Sequence, residues 1–262
     1  MAATRTAKKP AAKKVAMPAT RKPAPKVAKA AKPAPAALAP FRGFDKQAPG
    51  FFHALAVEQS REWFAEHKDE YTQLWQQPME SLLAEVAAGL APAYRGAKLS
   101  PPKIFRIHRD VRFAADKTPY KTHIAGVIHV GSPSNPTMGA AAMYLHLGLE
   151  EYCGAGHYIF EGEQLTRWRK LVAADKSGRE IAGLVADART RGMEIEAHET
   201  LQRVPKPYDA LHPRADLLRH KGLIAGFPDI PKGLIHQPRF AQWLTEQARA
   251  VAPMVAWLAK HI

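Results

Sequence analysis

The sequence predicts an α+β fold: a single domain with an antiparallel sheet packed by N-terminal, central and C-terminal helices. Two observations predict this class. Apolar residues recur at three- and four-residue spacing before and after the middle of the chain, which is typical of amphipathic helices. Between these stretches, short runs of alternating apolar and polar residues are joined by short turn-forming segments. Such runs favour consecutive antiparallel strands.

Composition divides the chain into a basic tail, residues 1–40, and a domain, residues 41–262. The tail holds ten Lys or Arg and no Asp or Glu, so it carries +10 of the formal net charge of +14. It is built almost entirely from Ala, Lys and Pro and cannot bury enough apolar surface to offset the entropy of ordering. We therefore expect a disordered tail, followed by enough chain for one domain with a substantial core.

The composition also excludes several classes of protein. No apolar run is long enough to span a bilayer. The tail is not followed by the apolar region of a secretory signal, and its prolines argue against the amphipathic helix of a mitochondrial transit peptide. A single cysteine, Cys153, excludes an internal disulfide framework and favours the reducing cytoplasm. Because Glu150 and Glu151 lie beside it, we expect a buried structural cysteine rather than a nucleophile.

Two scaffold helices are predicted ahead of the sheet. Ser60 suits the N-cap of the first, and Pro78 suits the first turn of the second. Their apolar faces comprise Phe64, His67, Tyr71 and Leu74 in the first helix and Met79, Leu82, Leu83, Val86 and Leu90 in the second.

Four segments predict the strands of an antiparallel meander, and residues 131–139 predict a loop between the second and third. The strand segments are residues 103–113, 120–130, 143–149 and 151–160. If the register allows it, one face of this sheet brings together His108, Lys121 or His123, His146 and His157.

The C-terminal part predicts more helices over the sheet. Residues 165–185 carry apolar residues at helical spacing for one or two helices, and residues 193–204 predict a further strand. Residues 213–222 read as a short helix, with Pro just inside its start and Gly just past its end. Residues 238–258 predict a closing helix in which Pro253 imposes a kink or a fresh start.

The most informative segment is residues 103–123, KIFRIHRDVRFAADKTPYKTH. If its first half is a strand, charged side chains alternate with apolar ones, and the charged face has a surplus of cations. Such a face suits a phosphate or carboxylate, so the segment predicts an anion-binding pocket. The predicted ligand-binding residues are Arg106, Arg109, Arg112, Asp116, Lys117, Tyr120, Lys121 and His123, with Arg219 and Lys221 as a second wall.

If this pocket is catalytic, His108 and Asp110 are the predicted catalytic residues. An imidazole titrates near neutrality, and Asp110 or Asp116 would orient it for general acid/base chemistry. No known motif names a reaction, because the HRD at residues 108–110 lacks the following kinase asparagine and neither a phosphate loop nor an HExxH occurs. The residues identify no cofactor and predict no metal site.

Three interpretations of function therefore stay open. The first is the pocket for a small anionic ligand. The second is that Asp110 and Asp116 pair with Arg106, Arg112 and Lys117 for structural reasons, and that residues 1–40 bind nucleic acid weakly and without sequence preference. The third is a protein-interaction module, which an exposed apolar patch would favour. The oligomeric state does not follow from the sequence.

Several segments resemble the bacterial and fungal domain-of-unknown-function family 2461. They are FRGF (41–44), FFHAL (51–55), REWFAEHK (61–68), the charged segment with Pro102, RVPK (203–206) and LLRHK (217–221). The resemblance implies one α+β domain of about this length and no established activity. The chain departs from the family at residues 58–60 (often Asn), at 114–115 (a more polar pair) and at Pro207 (usually Gly), where close backbone contact with a ligand is therefore not expected.

Overall fold

The structure, a computed structural model, describes residues 38–131 and 140–262. The expected disorder of residues 1–37 and the predicted loop at 132–139 lie outside the described residues. Within them, none of the helices is both long and apolar enough to cross a membrane. The helices are α1 (Ala48–Val57), α2 (Arg61–Glu66), α3 (Lys68–Tyr71), α4 (Gln77–Leu90), α5 (Gly162–Ala173), α6 (Asp175–Thr190), α7 (Ala215–Arg219), α8 (Arg239–Ala250) and α9 (Ala252–His261).

One antiparallel sheet of six strands, in the order β1-β2-β3-β4-β6-β5, forms the centre of the domain and confirms the predicted α+β class. The predicted meander is confirmed for β2, β3 and β4, and the two later strands extend it at the β4 edge. The strands are β1 (Lys103–Ile104), β2 (His123–His129), β3 (Ala141–Gly148), β4 (Tyr152–His157), β5 (Glu194–Glu196) and β6 (Leu223–Gly226).

The N-terminal helices follow from local signals in the sequence. The Ser60 hydroxyl accepts a hydrogen bond from the Trp63 amide at 3.1 Å, which confirms the predicted N-cap of α2. A π-helical turn, Thr72–Gln76, joins α3 to α4, and Pro78 lies in the first turn of α4 as predicted. Helix α1 was not predicted, because Pro49 and Gly50 resemble turn residues although a first turn tolerates proline.

The sheet has one face covered by helices and one that is partly open. Along β3, buried and half-buried residues alternate strictly, with Met143 and Leu145 towards the core and Tyr144 and His146 on the other face. Helix α9 contacts β3 and β4, α4 contacts β2, and α8 contacts β4. The large apolar core therefore lies between these helices and one face of the sheet.

The later elements differ in detail from their predictions. The strand predicted at 193–204 is confirmed only as the short β5, and β6 was not predicted. The closing helix is two helices, α8 and α9, with Pro253 in the first turn of the second, so the fresh start is confirmed.

The regular strand predicted over residues 103–113 is wrong beyond Ile104. Backbone pairing with the 119–127 segment continues irregularly as far as Arg109, whose amide donates to the Pro119 carbonyl at 2.8 Å. The predicted apolar face then fails, because Ile107 is 5% exposed but Phe113 is 94% exposed. The chain leaves the sheet after Arg109, since the charged residues that follow bond to one another in a loop.

Candidate functional site

The charged side chains of the loop at residues 109–118 bond to other groups of the same loop. Arg109 donates to the Asp116 carboxylate and the Thr118 hydroxyl, and Arg112 forms an ion pair with Asp110 at 2.7 Å. The Lys117 ammonium donates to the Val111 carbonyl at 2.9 Å. The Arg112–Asp110 pair matches the structural interpretation, whereas Asp116 pairs with Arg109 instead of Arg106, and Lys117 bonds to a backbone carbonyl instead of a carboxylate.

The carboxyl groups of this loop are held in their charged form. Hydrogen bonds from Arg112 lower the pKa of Asp110 to about 2. Hydrogen bonds from the Thr118 amide and from Arg109 lower the pKa of Asp116 to about 2. Each of these two guanidinium groups already has a carboxylate partner, so neither is left as an open anion site.

The predicted catalytic pair is not assembled in the structure. His108 lies next to Tyr120 in an isolated β-bridge, with ring centroids 5.1 Å apart, while Tyr120 is buried and stacks on Phe64 at 4.5 Å. Within the described residues, no hydrogen bond joins His108 to Asp110, which is bound to Arg112 instead.

Arg219 and Lys221 lie away from the charged loop. Arg219 pairs with Asp216 at 2.5 Å, and Lys221 pairs with Glu199 at 2.6 Å. Both precede β6, which three strands separate from β1. The structure therefore does not bring the predicted second wall to the predicted pocket.

A cavity of about 550 Å³ lies instead on the sheet face opposite the core helices, and we call it the open-face cleft. Its extent runs from Phe105, just after β1, to Glu196 on β5, so it crosses the whole sheet. Aromatic and imidazole rings form its walls, and small residues form much of its floor. The residues that line the cleft include Phe105, Ala142, Tyr144, His146, Tyr152, Gly154, Gly156, Tyr158, Glu196 and His198.

A hydrogen-bonded polar pair occupies the β5 end of the cleft. The Tyr152 hydroxyl donates to Oε2 of Glu196 at 3.1 Å. Gly154 and Gly226 are register partners beneath this pair. A Cβ on Gly154 would lie 2.8 Å from the Tyr152 hydroxyl, and one on Gly226 would lie 2.4 Å from Oε1 of Glu196. Because these two glycines have no side chains, Tyr152 and Glu196 can lie across the surface of the sheet and contact each other.

Two histidines of the predicted convergence do meet on this face. The His123 and His146 rings, on neighbouring strands, have centroids 4.6 Å apart, and His146 also lies 5.8 Å from the Tyr152 ring. The prediction is wrong for His157, which faces the core and packs 4.8 Å from Phe160. It is also wrong for His108, which lies beyond the end of β1 with its ring against Tyr120 and is not part of the cleft.

Burial disfavours the charged forms of the ionisable groups in and beside the cleft. Burial, followed by the nearby His146 and Lys121, lowers the pKa of His123 to about 4. Burial also lowers the pKa of His146 and raises the pKa of Tyr144 to about 12. The pKa of Glu196 is raised by burial, so the carboxylate there is poorly hydrated.

Cations mark the opposite end of the cleft. The Lys103 and Lys121 ammonium groups lie 5.6 and 5.7 Å from the centroid of the Phe105 ring. Burial and the neighbouring Arg106 lower the pKa of Lys121. Among the residues that the structure describes, none of these three cations forms an ion pair. Of the predicted ligand-binding residues, Lys121 and His123 therefore lie beside the cleft, and Arg106 lies near Lys121.

The residues that carry most of the cleft were missed by sequence reasoning. The alternation of β3 could have placed Tyr144 and His146 on one face, but their neighbours depend on strand register. Tyr152 and Glu196 meet only because β6 lies between their strands, and β5 and β6 are too short for a periodic signal.

Other chemistry finds little support in the described parts of the chain. They contain no group of three or more His, Cys, Asp or Glu placed to hold a metal ion. Cys153 is buried as predicted, and burial together with Glu151 raises the pKa of its thiol. A raised pKa favours the protonated thiol over the thiolate, and a protonated thiol is a poor nucleophile.

The histidine pair makes stability depend on pH. The pKa of His123 is about 4 in the folded protein and 6.5 in an unfolded chain, so the unfolded chain binds this proton more tightly. Lowering the pH from 7 to 5 therefore reduces the free energy of unfolding, by about 1 kcal/mol for this half-exposed ring after solvent screening. Urea unfolding at both pH values checks this loss, and His123→Gln should reduce it by about this amount, leaving the contribution of His146, whose pKa burial also lowers. An equal loss in the variant would assign the pH dependence to other groups.

The chain matches one family model over residues 47–257, that of the conserved hypothetical protein family DUF2461. Its fold and the open-face cleft define the protein as an α+β domain with a candidate small-molecule site. No curated protein and no solved structure matches the chain. The protein belongs to the DUF2461 family, as the resemblance of its motifs predicts.

Proposed function

We propose that the domain binds an elongated organic anion with a planar ring, in the open-face cleft. The cleft itself is the observation that supports this function. Its volume of about 550 Å³ lies in the range of small-molecule sites, and rings with a few polar groups line it, as such sites are commonly lined.

The rings of the cleft suit a planar group. Tyr144 lies between Phe105 and Tyr152, with centroid distances of 6.1 and 6.4 Å, and all three rings are half-buried. A ligand ring that packs among them would bury apolar surface and gain aromatic contacts worth about 0.5–1.5 kcal/mol each. The small residues Ala142 and Gly156, paired across β3 and β4, leave the floor open to it.

The ends of the cleft set the charge and the length of the ligand. Lys103 and Lys121 suit an anionic group at one end, and Glu196 suits a hydrogen-bond donor at the other. Lys121 precedes β2 and Glu196 lies on β5, four strand spacings apart, or about 19 Å between strands. A ligand that engages both ends must therefore be longer than a single ring.

Binding of anilinonaphthalene sulfonate, an anion with a planar naphthalene ring system, tests this function on the full chain. Tyr144→Leu should weaken binding about tenfold and Lys121→Gln about threefold, since a contact worth about 1.4 kcal/mol corresponds to tenfold in affinity. Phe113→Ala and Lys117→Gln are matched controls, because both side chains lie on the loop away from the cleft and should leave affinity unchanged. Melting temperatures establish that each variant is folded. Equal affinity in wild type and Tyr144→Leu would refute the proposal.

A second candidate function rests on the charge of residues 1–40. Ten basic residues without a single acid would attract the phosphates of a nucleic acid in any sequence. This function is independent of the cleft, and it would be marked by an affinity that falls steeply as salt concentration rises.

A further inference from the structure

We propose that the β5 end of the open-face cleft binds a nitrogen heterocycle that presents two adjacent N–H donors, as guanine does, through the carboxylate of Glu196. This inference rests on the proposed function and deepens it. It names the ring of the elongated anion and the residue that recognises its edge.

The carboxylate of Glu196 is positioned but only partly satisfied. Its Oε2 accepts the Tyr152 hydroxyl hydrogen at 3.1 Å, whereas Oε1 accepts no hydrogen bond from any residue of the described ranges. Glu196 is half-buried and contributes to the cleft surface. An accessible acceptor in a poorly hydrated site is stabilised by a donor that arrives with the ligand.

The direction of Glu196 is set by its surroundings. Tyr152 reaches it over Gly154, and Oε1 lies over Gly226, where any side chain would displace it. These contacts hold the carboxylate across the sheet, towards the rings of the cleft. The conformational entropy of the Glu196 side chain is therefore lost on folding, and ligand binding does not have to fix this side chain.

The hydrogen-bonding chemistry of the Glu196 carboxylate determines which edge of a heterocycle it can bind. An ionised carboxylate accepts hydrogen bonds through both oxygens and donates none. Guanine offers a ring N–H and an exocyclic amino group side by side, which suits two such oxygens. Adenine offers one amino group beside a ring nitrogen that is itself an acceptor, so its lone pair would face the carboxylate.

Two rings at the β5 end of the cleft offer flat surfaces on which a planar heterocycle can stack. Tyr158 and His198 have ring centroids 4.5 Å apart, and both line the cleft beside Glu196. Tyr158 is 46% exposed, so its ring retains area for a ligand to cover. Stacking on such a ring is worth about 1–3 kcal/mol per base in nucleic-acid-binding proteins.

Guanosine diphosphate and inosine diphosphate test the inference, because they differ only in the amino group of the base. Titration calorimetry on the full chain should show GDP binding at least about tenfold more tightly than IDP, since hydrogen bonds to a charged acceptor are worth that much. In Glu196→Gln the preference should disappear and GDP should bind about tenfold more weakly. Both nucleotides carry the same phosphates, so the basic tail cannot create the difference.

Gly226→Ala provides a second variant in which Glu196 is retained. The added methyl group should displace Oε1 and reduce the preference for GDP in the same direction, while the fold stays intact because a side-chain end can move. Equal affinity of the wild type for GDP and IDP, or an unchanged preference in Glu196→Gln, would overturn the inference. The sulfonate assay with Tyr144→Leu would then still decide the proposed function separately.

Discussion

Trp75→Ala should lower the free energy of unfolding by about 3–5 kcal/mol, the usual cost of removing a buried Trp side chain. Trp75 is 1% exposed, and its ring packs 4.8 Å from Phe52 and 5.1 Å from Phe44. Its indole N–H donates to the Ala48 carbonyl at 2.9 Å, so the variant also removes a buried hydrogen bond between α1 and the core. Because small domains are stable by only about 5–15 kcal/mol, this loss is a large fraction of the total.

Urea unfolding followed by far-UV circular dichroism measures the effect. The midpoint should fall while the slope of free energy against urea stays the same, since the surface exposed on unfolding changes little. Trp75→Phe is the matched control and should cost less, because it keeps an aromatic ring in the core although it also loses the hydrogen bond to Ala48. A loss below about 1 kcal/mol in Trp75→Ala would show that the ring does not anchor α1 to the core.

DNA binding by the full chain should fall steeply with salt. Each phosphate neutralised contributes about −0.9 to the slope of log affinity against log salt concentration, so ten tail charges predict a slope approaching about −9. Between 100 and 200 mM salt, affinity for a 20-base-pair duplex should fall about 500-fold if all ten take part and about 20-fold if half do. Fluorescence anisotropy at a series of salt concentrations measures the slope.

The control is a chain in which the ten Lys and Arg of residues 1–40 are replaced by Gln. Its domain keeps a net charge of about +4, so only a shallow salt dependence should remain. Duplexes of different sequence should bind the wild type equally, because phosphate contacts carry no sequence information. A slope that is the same in the variant would place nucleic-acid binding on the domain rather than on the tail.

Much of the fold could be predicted from local patterns. The cap at Ser60, the proline at 78 and the alternation of Met143, Tyr144 and Leu145 are signals that tertiary packing does not reverse. The short β6 was missed because four residues are too few to show a period. The 103–113 segment shows the opposite failure, since alternation was present but local ion pairs and turns competed successfully with the sheet.

The candidate site was less predictable than the fold. The sequence drew attention to the densest cluster of charge, and the structure shows that Arg109, Arg112, Asp110 and Asp116 neutralise one another. Charge density alone does not distinguish a pocket from a loop held by its own ion pairs. Tyr152 and Glu196 are unremarkable in sequence, and only the order of the strands makes them neighbours.

The open-face cleft takes its two ends from distant parts of the chain, because Lys121 precedes β2 whereas Glu196 belongs to β5. During synthesis on the ribosome, the first half of the domain would emerge without the acidic end, and contacts between such distant segments form late in folding. A fragment that stops before β5 therefore has no complete site. A ligand that bridges both ends would therefore bind only chains that already include β5 and β6, and it would protect them from unfolding to a degree that rises with its concentration.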